Sequence, residues 1–332
     1  MEDWQKLSAL IVGCGSIGRR HGRALRQLGL SDVRVCDPSP EMRDFASERL
    51  NITKAYDKLP EALADQPNAV FICTPTALHT EQAIESLIAG TDVFIEEPLS
   101  TSLDRMNEME ALAKDGGKLV MVGHCFRFHE GLRQAKRWLK EGRIGRLASI
   151  RAVLGEYIPE VVPNYRNMYI SEYGGAYELI HDIDLALWFA EQQPVRVMGV
   201  DGNFSDVPMK SPDTAELIVE FKNRCLASVH LDFFQRARHR QTELFGTNGT
   251  ILVEFASWDK CGLFLYEAEG AAWHFENVAT DRDDMFREMD RLFLQAIISR
   301  STAPVSLEEG KLAVQVMLAS QESARTGKGV RL

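Results

Sequence analysis

The stretch Ala9-Leu10-Ile11-Val12-Gly13-Cys14-Gly15-Ser16-Ile17-Gly18 decides the fold. A near-continuous apolar run is the mark of a strand buried on both faces. Here it leads straight into a Gly-x-Gly-x-x-Gly loop that opens a helix ending near Leu28-Gly29. Gly13 permits the tight turn, Gly15 lets backbone approach a pyrophosphate, and Gly18 allows close helix–strand packing. The amides around Ser16 and Ile17, at the positive end of the helix, are donors for phosphate. Asp37 closes the second strand. A carboxylate there accepts hydrogen bonds from ribose hydroxyls and repels a 2'-phosphate, so NAD is expected over NADP.

The same pattern repeats outward. Val33–Cys36, Val70–Cys73, Val93–Ile95 and Leu119–Val122 read as further buried strands, most of them separated by stretches of helical spacing such as Ala77-Leu78, Ala83-Ile84 and Leu87-Ile88. This alternation predicts a parallel sheet with right-handed crossovers over residues 1–123. After Gly123 the pattern changes. A helix is expected at Glu130–Lys140, then strands at Ala148–Tyr157, Val195–Val200, Ala215–Phe221, Leu226–Phe234, Gln241–Phe245 and Ile251–Phe255. Lys222-Asn223-Arg224 and Thr247-Asn248-Gly249 are hairpin signals. Helices are expected at Ala176–Ala190, Asp283–Ile298 and Ser306–Thr326. The fold class is α/β, with an N-terminal Rossmann parallel sheet and a C-terminal α+β domain, residues 124–332, carrying an open, mostly antiparallel sheet.

Composition excludes whole classes. Of 332 residues, 45% are hydrophobic and 26% charged, which fits a globular chain rather than a disordered one. The 48 acidic residues outnumber the 38 basic ones, giving a net charge of -10, which argues against nucleic acid as partner. No apolar run approaches the ~20 residues that cross a bilayer. Met1-Glu2-Asp3-Trp4 lacks a signal-peptide layout, so a cytoplasmic location is expected. The six cysteines are scattered and contain no Cys-x-x-Cys pair, so free thiols are expected and no structural metal.

Several side chains carry candidate chemistry. Thr74 follows the Val70–Cys73 strand and lies where loops line a dinucleotide crevice. His79 reads either as a helix-start packing residue or as a catalyst. An imidazole at His181 suits proton transfer coupled to hydride transfer. Asp184, one helical turn on, can orient that ring. Read as a metal pair, the two lack further spaced ligands. Glu178, on the other side of His181, either holds the imidazole or packs. Arg236, Arg238 and Arg240 alternate along a strand, either as an anion site for substrate or as a solvated face. Tyr165, Arg166 and Tyr169, on the loop before the His181 helix, either line a sugar pocket or pack.

The fingerprint together with Cys73-Thr74-Pro75…His79, Glu96-Glu97-Pro98-Leu99-Ser100 and Gly174-Gly175-Ala176…His181-Asp182-Ile183-Asp184 resembles the glucose–fructose oxidoreductase/inositol dehydrogenase/MocA (Gfo/Idh/MocA) family. The resemblance spans nearly the whole chain. Phe126-Arg127-Phe128-His129 and Leu231-Asp232-Phe233-Phe234-Gln235-Arg236 further resemble a branch found with surface-sugar and nonulosonic-acid biosynthesis. It implies NAD(P)-dependent oxidation or reduction of a sugar or nucleotide-sugar hydroxyl or carbonyl. His181 would be the acid/base, Glu96 would lie near the nicotinamide ribose, Arg127 would lie at the substrate, and homodimers or homotetramers would form through the C-terminal sheet. One departure is sharp. The family's Glu-Lys-Pro motif places a lysine beside the nicotinamide, and Glu97 stands there in this chain. An orienting cation is replaced by an anion, which leaves a working site and a lapsed, NAD-binding sensor or partner protein as rival readings.

Overall fold

A computed structural model describes residues 3–162, 165 and 174–332. The chain divides into two compact units. The first holds Met1–Cys125 and Asp283–Val314, the second Phe126–Arg282 and Gln315–Leu332.

Six parallel strands form the first unit's sheet: β1 (Ser8–Val12), β2 (Asp32–Cys36), β3 (Lys54–Tyr56), β4 (Ala69–Ile72), β5 (Asp92–Ile95) and β6 (Val120–Val122). Their spatial order is 3-2-1-4-5-6. That is the doubly wound arrangement, whose switch point lies between β1 and β4, where the glycine loop and the Cys73-Thr74 turn emerge. Every residue of β1, β4 and β5 is buried, as near-continuous apolar runs demand. Helices α1 (Ser16–Gln27), α2 (Pro40–Leu50), α3 (Leu59–Ala64), α4 (His79–Ile88) and α5 (Met106–Asp115) supply the crossovers.

Residues 283–314 return to this unit, which a single cut after residue 123 does not anticipate. Phe293 sets its ring against Phe71 and Phe94, with centroids 5.5 and 5.8 Å apart. Val305 accepts the Val122 N–H at 3.1 Å. Helical periodicity in this segment shows an apolar face but not which sheet it covers.

The second unit carries α6 (Glu130–Lys140), the short α7 (Ile158–Val161) and α8 (His181–Ala190) with a nine-stranded sheet. Its strands are β7 (Leu147–Tyr157), β8 (Pro194–Gly202), β9 (Thr214–Phe221), β10 (Leu226–Asp232), β11 (Phe234–Gly246), β12 (Gly249–Phe255), β13 (Lys260–Glu267), β14 (Ala272–Ala279) and β15 (Val330–Arg331). Pairing is antiparallel except between β7 and β10. One face is apolar and buried through Ala152, Leu217, Val229, Leu244, Val253 and Leu263. The alternate positions form a row across the other face, Met198–Ile218–Ser228–Arg151–Glu243–Leu252–Phe264–Phe275. Met198, Ile218 and Phe275 are exposed on it.

Two departures from the sequence expectation bear on the site. The helix expected over Ala176–Ala190 is a 3-10 turn, Gly175–Glu178, and then α8, so His181 begins a helix instead of sitting inside one. The 3-10 turn opens at Gly175, at φ +65°, where a side chain would run into the Pro212 carbonyl, and Leu179 caps it before α8 begins. The strand β11 runs from Phe234 to Gly246, longer than the expected Gln241–Phe245, and so carries Arg236, Arg238 and Arg240.

Helix α9 (Arg282–Ser299) and helix α10 (Leu307–Thr326) lie between β14 and β15. Among the described residues no helix is long and apolar enough to cross a membrane.

Candidate active site

In the first unit the three fingerprint glycines have different reasons to be glycine. A side chain on Gly13, at φ +90°, would meet the Cys73 carbonyl and Thr74. One on Gly18 would fall on the Gly13 carbonyl oxygen. A side chain on Gly15 would meet nothing within 4 Å. The fold itself crowds Gly13 and Gly18, whereas the space beside Gly15 is open. Gly15 is also the N-cap of α1 and provides no side-chain cap, so the amides of Ser16 and Ile17 open the helix without one. Asp37 adjoins this loop: its Oδ2 accepts the Cys14 N–H at 2.7 Å and its Oδ1 the Ser39 N–H at 2.9 Å. The residues present therefore fit a dinucleotide: amide donors for the pyrophosphate, space above Gly15, and a carboxylate at the end of β2.

Thr74 gives its hydroxyl hydrogen to Gln82 at 2.6 Å. His79, which the sequence left between packing and catalysis, is a buried brace. Its Nε2 lies 2.8 Å from the Thr74 carbonyl and its Nδ1 3.0 Å from the Pro98 carbonyl; burial lowers its pKa, so the neutral ring donates its single N–H to one loop and packs against the other. The Glu97–Pro98 peptide is cis.

Glu96, which the resemblance places near the nicotinamide ribose, is held inside the first unit. It is 6% exposed, and its Oε1 lies 2.6 Å from His21 Nε2. His21 Nδ1 lies 2.8 Å from Asp290 Oδ1. Phe71, Phe94 and Phe286 enclose the ring. Burial alone would lower the His21 pKa, but Asp290 and Glu96 outweigh it and hold it up at about 10. The imidazolium donates from both nitrogens to two carboxylates. Sequence reasoning missed His21. Its signal is a histidine one turn after Gly18, on the helix face that must pack against the sheet.

The second unit contains the other half of the candidate residues. His181 is the first residue of α8. The Phe126 ring meets it edge-on at 4.6 Å. Glu178 precedes it on the 3-10 turn, and burial pushes this carboxyl up to about 7. The structure gives Asp184 a partner that helical spacing cannot reveal. Arg127 grips both its oxygens, Nε to Oδ2 at 2.9 Å and Nη2 to Oδ1 at 2.7 Å. Both side chains are buried, so the two form an internal ion pair. Asp182 is matched in the same way by Arg240, which lies over Phe126 at 3.5 Å. Arg236 is exposed, stacks on Tyr157 at 3.6 Å and reaches Glu160 at 3.4 Å. Tyr165 is buried, with its hydroxyl 3.4 Å from the Pro208 carbonyl. Arg166 and Tyr169 lie outside the described residues.

Comparison with known proteins agrees with this geometry. A profile described as "Oxidoreductase family, NAD-binding Rossmann fold" (GFO_IDH_MocA) matches residues 7–124. The "GFO/IDH/MocA C-terminal domain" profile matches residues 132–252. Myo-inositol 2-dehydrogenase of Thermotoga maritima is 28% identical over 97% of each chain. The 2,7-anhydro-N-acetylneuraminate hydratase of Mediterraneibacter gnavus is 26% identical over 80% of this chain and 71% of its own. The fold matches that of scyllo-inositol dehydrogenase from Lactobacillus casei, solved with NAD(H) and scyllo-inositol, at a TM-score of 0.81 and 20% identity over 98% of this chain and 99% of that one. Fingerprint, sheet order and both profiles converge: the chain is an oxidoreductase of the Gfo/Idh/MocA family, with an NAD-binding Rossmann domain.

Proposed function

We propose that the protein is an NAD(H)-dependent dehydrogenase or reductase acting by hydride transfer on a hydroxyl or carbonyl of a sugar or nucleotide sugar. The observation that carries the cofactor half is Gly15, a position the fold leaves open and a pyrophosphate needs. The inositol dehydrogenases among its relatives support the substrate half. When bound, NAD supplies the hydride acceptor. The chain supplies the rest. The α1 amides and Asp37 hold the dinucleotide. Thr74 and the Glu97–Pro98 turn, braced by His79, shape the loops beside it. His181, at the start of α8, takes the hydroxyl proton. A carboxylate at Glu97 favours the oxidised, positively charged nicotinamide and can accept a proton. Tyr165, Arg166, Tyr169 and Arg236 remain candidates for the sugar side. We also infer cytoplasmic homodimers or homotetramers through the open sheet face, which exposed Met198, Ile218 and Phe275 support.

Glu97 favours a second reading, a binding protein without turnover, because a cation is lost where oxyanion charge develops. The test is absorbance at the reduced-cofactor band during incubation with NAD and a panel of polyols, aldoses and nucleotide sugars. Net reduction supports dehydrogenation. NAD binding with no chemistry across the panel refutes it. Product without net cofactor change replaces it with internally recycled hydride chemistry.

A further inference from the structure

We propose that the second unit carries an anion subsite for the acid group of a carbohydrate substrate, built by Arg238, Trp258 and Arg282. The carbohydrate part rests on the function proposed above, whereas the anion part does not.

Three separate segments bring these side chains together. Arg238 projects from β11, Trp258 lies in the turn between β12 and β13, and Arg282 opens α9. The Arg238 and Arg282 guanidinium carbons lie 4.4 and 4.5 Å from the Trp258 ring centroid. Two cations thus share one aromatic ring. Arg282 makes no hydrogen bond or ion pair among the described residues, although it is half-buried. Arg238 makes only long contacts, 3.3 Å to Glu156 and 3.3 Å to the Ala256 carbonyl. Burial first, then the like charges of Arg240 and Arg282, pull the Arg238 pKa below its ordinary value. The neighbouring Arg240 is different: it is fully buried and neutralised by Asp182. Among the described residues Glu156 is the carboxylate paired with Arg238, and the chain as a whole is acidic at -10. An uncompensated cation pair in such a chain is matched by an anion from outside it.

The surroundings point to a sugar. Phe126 connects the cation pair to the proton-transfer residue: its ring lies 5.9 Å from Trp258 and 4.6 Å from His181. Phe126 is itself buried under Arg240, so the half-buried Trp258 is the aromatic surface beside which a pyranose or cyclitol packs. The reacting carbinol then lies toward His181 and the acid group toward Trp258. Carboxylate and phosphate both accept paired N–H donors from arginine, and both fit this chemistry.

The test is calorimetric titration of the full chain, with and without saturating NAD, using a hexose, a hexuronate and a hexose phosphate as probes. The expected result is that at least one acid probe binds about tenfold or more tightly than the hexose, with an advantage that shrinks in high salt. If the hexuronate leads, the source is a sugar acid; if the phosphate leads, it is a phosphorylated or nucleotide sugar. Arg282→Gln and Arg238→Gln should each remove most of the advantage and leave NAD affinity unchanged, and Arg282→Lys should keep part of it. Equal affinity for all three probes overturns the proposal, as does an advantage that survives in the double glutamine variant with NAD binding intact. Loss of all sugar turnover beside a retained acid preference would sink the dehydrogenase reading and leave the subsite standing.

Discussion

The carboxylate of Asp37 is tied to the backbone of Cys14, accepting its N–H at 2.7 Å. The residue expected to choose between NAD and NADP therefore also fixes the loop that receives the pyrophosphate. Asp37→Asn keeps an acceptor for Cys14 and removes the charge; Asp37→Ala removes both. We expect NAD(H) to bind more tightly than NADP(H), and Asn to narrow that gap with little loss of NAD affinity. Ala should narrow the gap and also weaken NAD by about tenfold, roughly one hydrogen bond to a charged group. Calorimetry with both cofactors separates the two effects. A wild-type preference for NADP(H) would defeat the assignment.

Gly15 and Gly18 should part company on substitution. Gly18→Ala places a methyl on the Gly13 carbonyl, and the turn must shift, so we expect a loss of several kcal/mol of stability. Gly15→Ala meets nothing in the protein. Its thermal midpoint should stay within a few degrees of wild type while NAD affinity falls at least about tenfold. Equal NAD affinity in Gly15→Ala, measured by titration, would contradict the dinucleotide reading.

His181→Ala should leave NAD binding nearly intact and slow hydride transfer by the ~10²–10⁴ of a lost acid/base. Rapid-mixing absorbance gives the rate, and circular dichroism controls for the fold. An unchanged rate makes His181 a packing residue.

For Glu97 the two readings predict opposite signs. If the carboxylate works, Glu97→Gln lowers the single-turnover rate. If the site has lapsed, Glu97→Gln changes little and Glu97→Lys creates turnover. We expect the first. Activity confined to the lysine variant would establish the binding-protein reading.

Stability should fall at alkaline pH through His21. Its folded pKa is raised to about 10 from 6.5, so its contribution is complete below pH 6.5 and is lost as pH rises through 10. His21→Gln should destabilise the protein by about 3 kcal/mol at pH 7, as breaking a buried ion pair does. The gap to wild type should narrow between pH 7 and 10 in urea titrations. A constant gap means that the ring is not charged between Glu96 and Asp290.

The sequence was most legible where structure is local. Ala9–Val12, Val70–Ile72 and Val93–Ile95 are strands because burial on both faces leaves no polar position to confuse the pattern. The turns at Lys222-Asn223-Arg224 and Thr247-Asn248-Gly249 join β9 to β10 and β11 to β12 as read. The edge strand β14 escaped notice because its face is exposed and Trp273 and Phe275 break any polar alternation. Long-range partners were invisible. Asp184 lies one turn from His181 in sequence, yet its two oxygens go to Arg127, which no periodicity can place. Glu96 carries a family expectation of lying near the nicotinamide ribose, but no sequence pattern shows that His21 pairs with it and with Asp290 from remote segments.

The return of Asp283–Val314 to the first unit sets the order in which the protein can be born. Phe286, Met289 and Phe293 are fully interior there, so the amino-terminal sheet lacks a wall until the ribosome has passed the whole of Phe126–Arg282. At about 5–20 residues per second, that wait is of the order of ten seconds or more. During it, Phe71 and Phe94 stand uncovered on strands that favour self-association, so nascent chains are natural clients for chaperones. A gene fragment stopping at Cys125 would encode a sticky polypeptide rather than a portable nucleotide-binding module, whereas a circular permutant that starts near residue 283 would deliver both pieces of that core first.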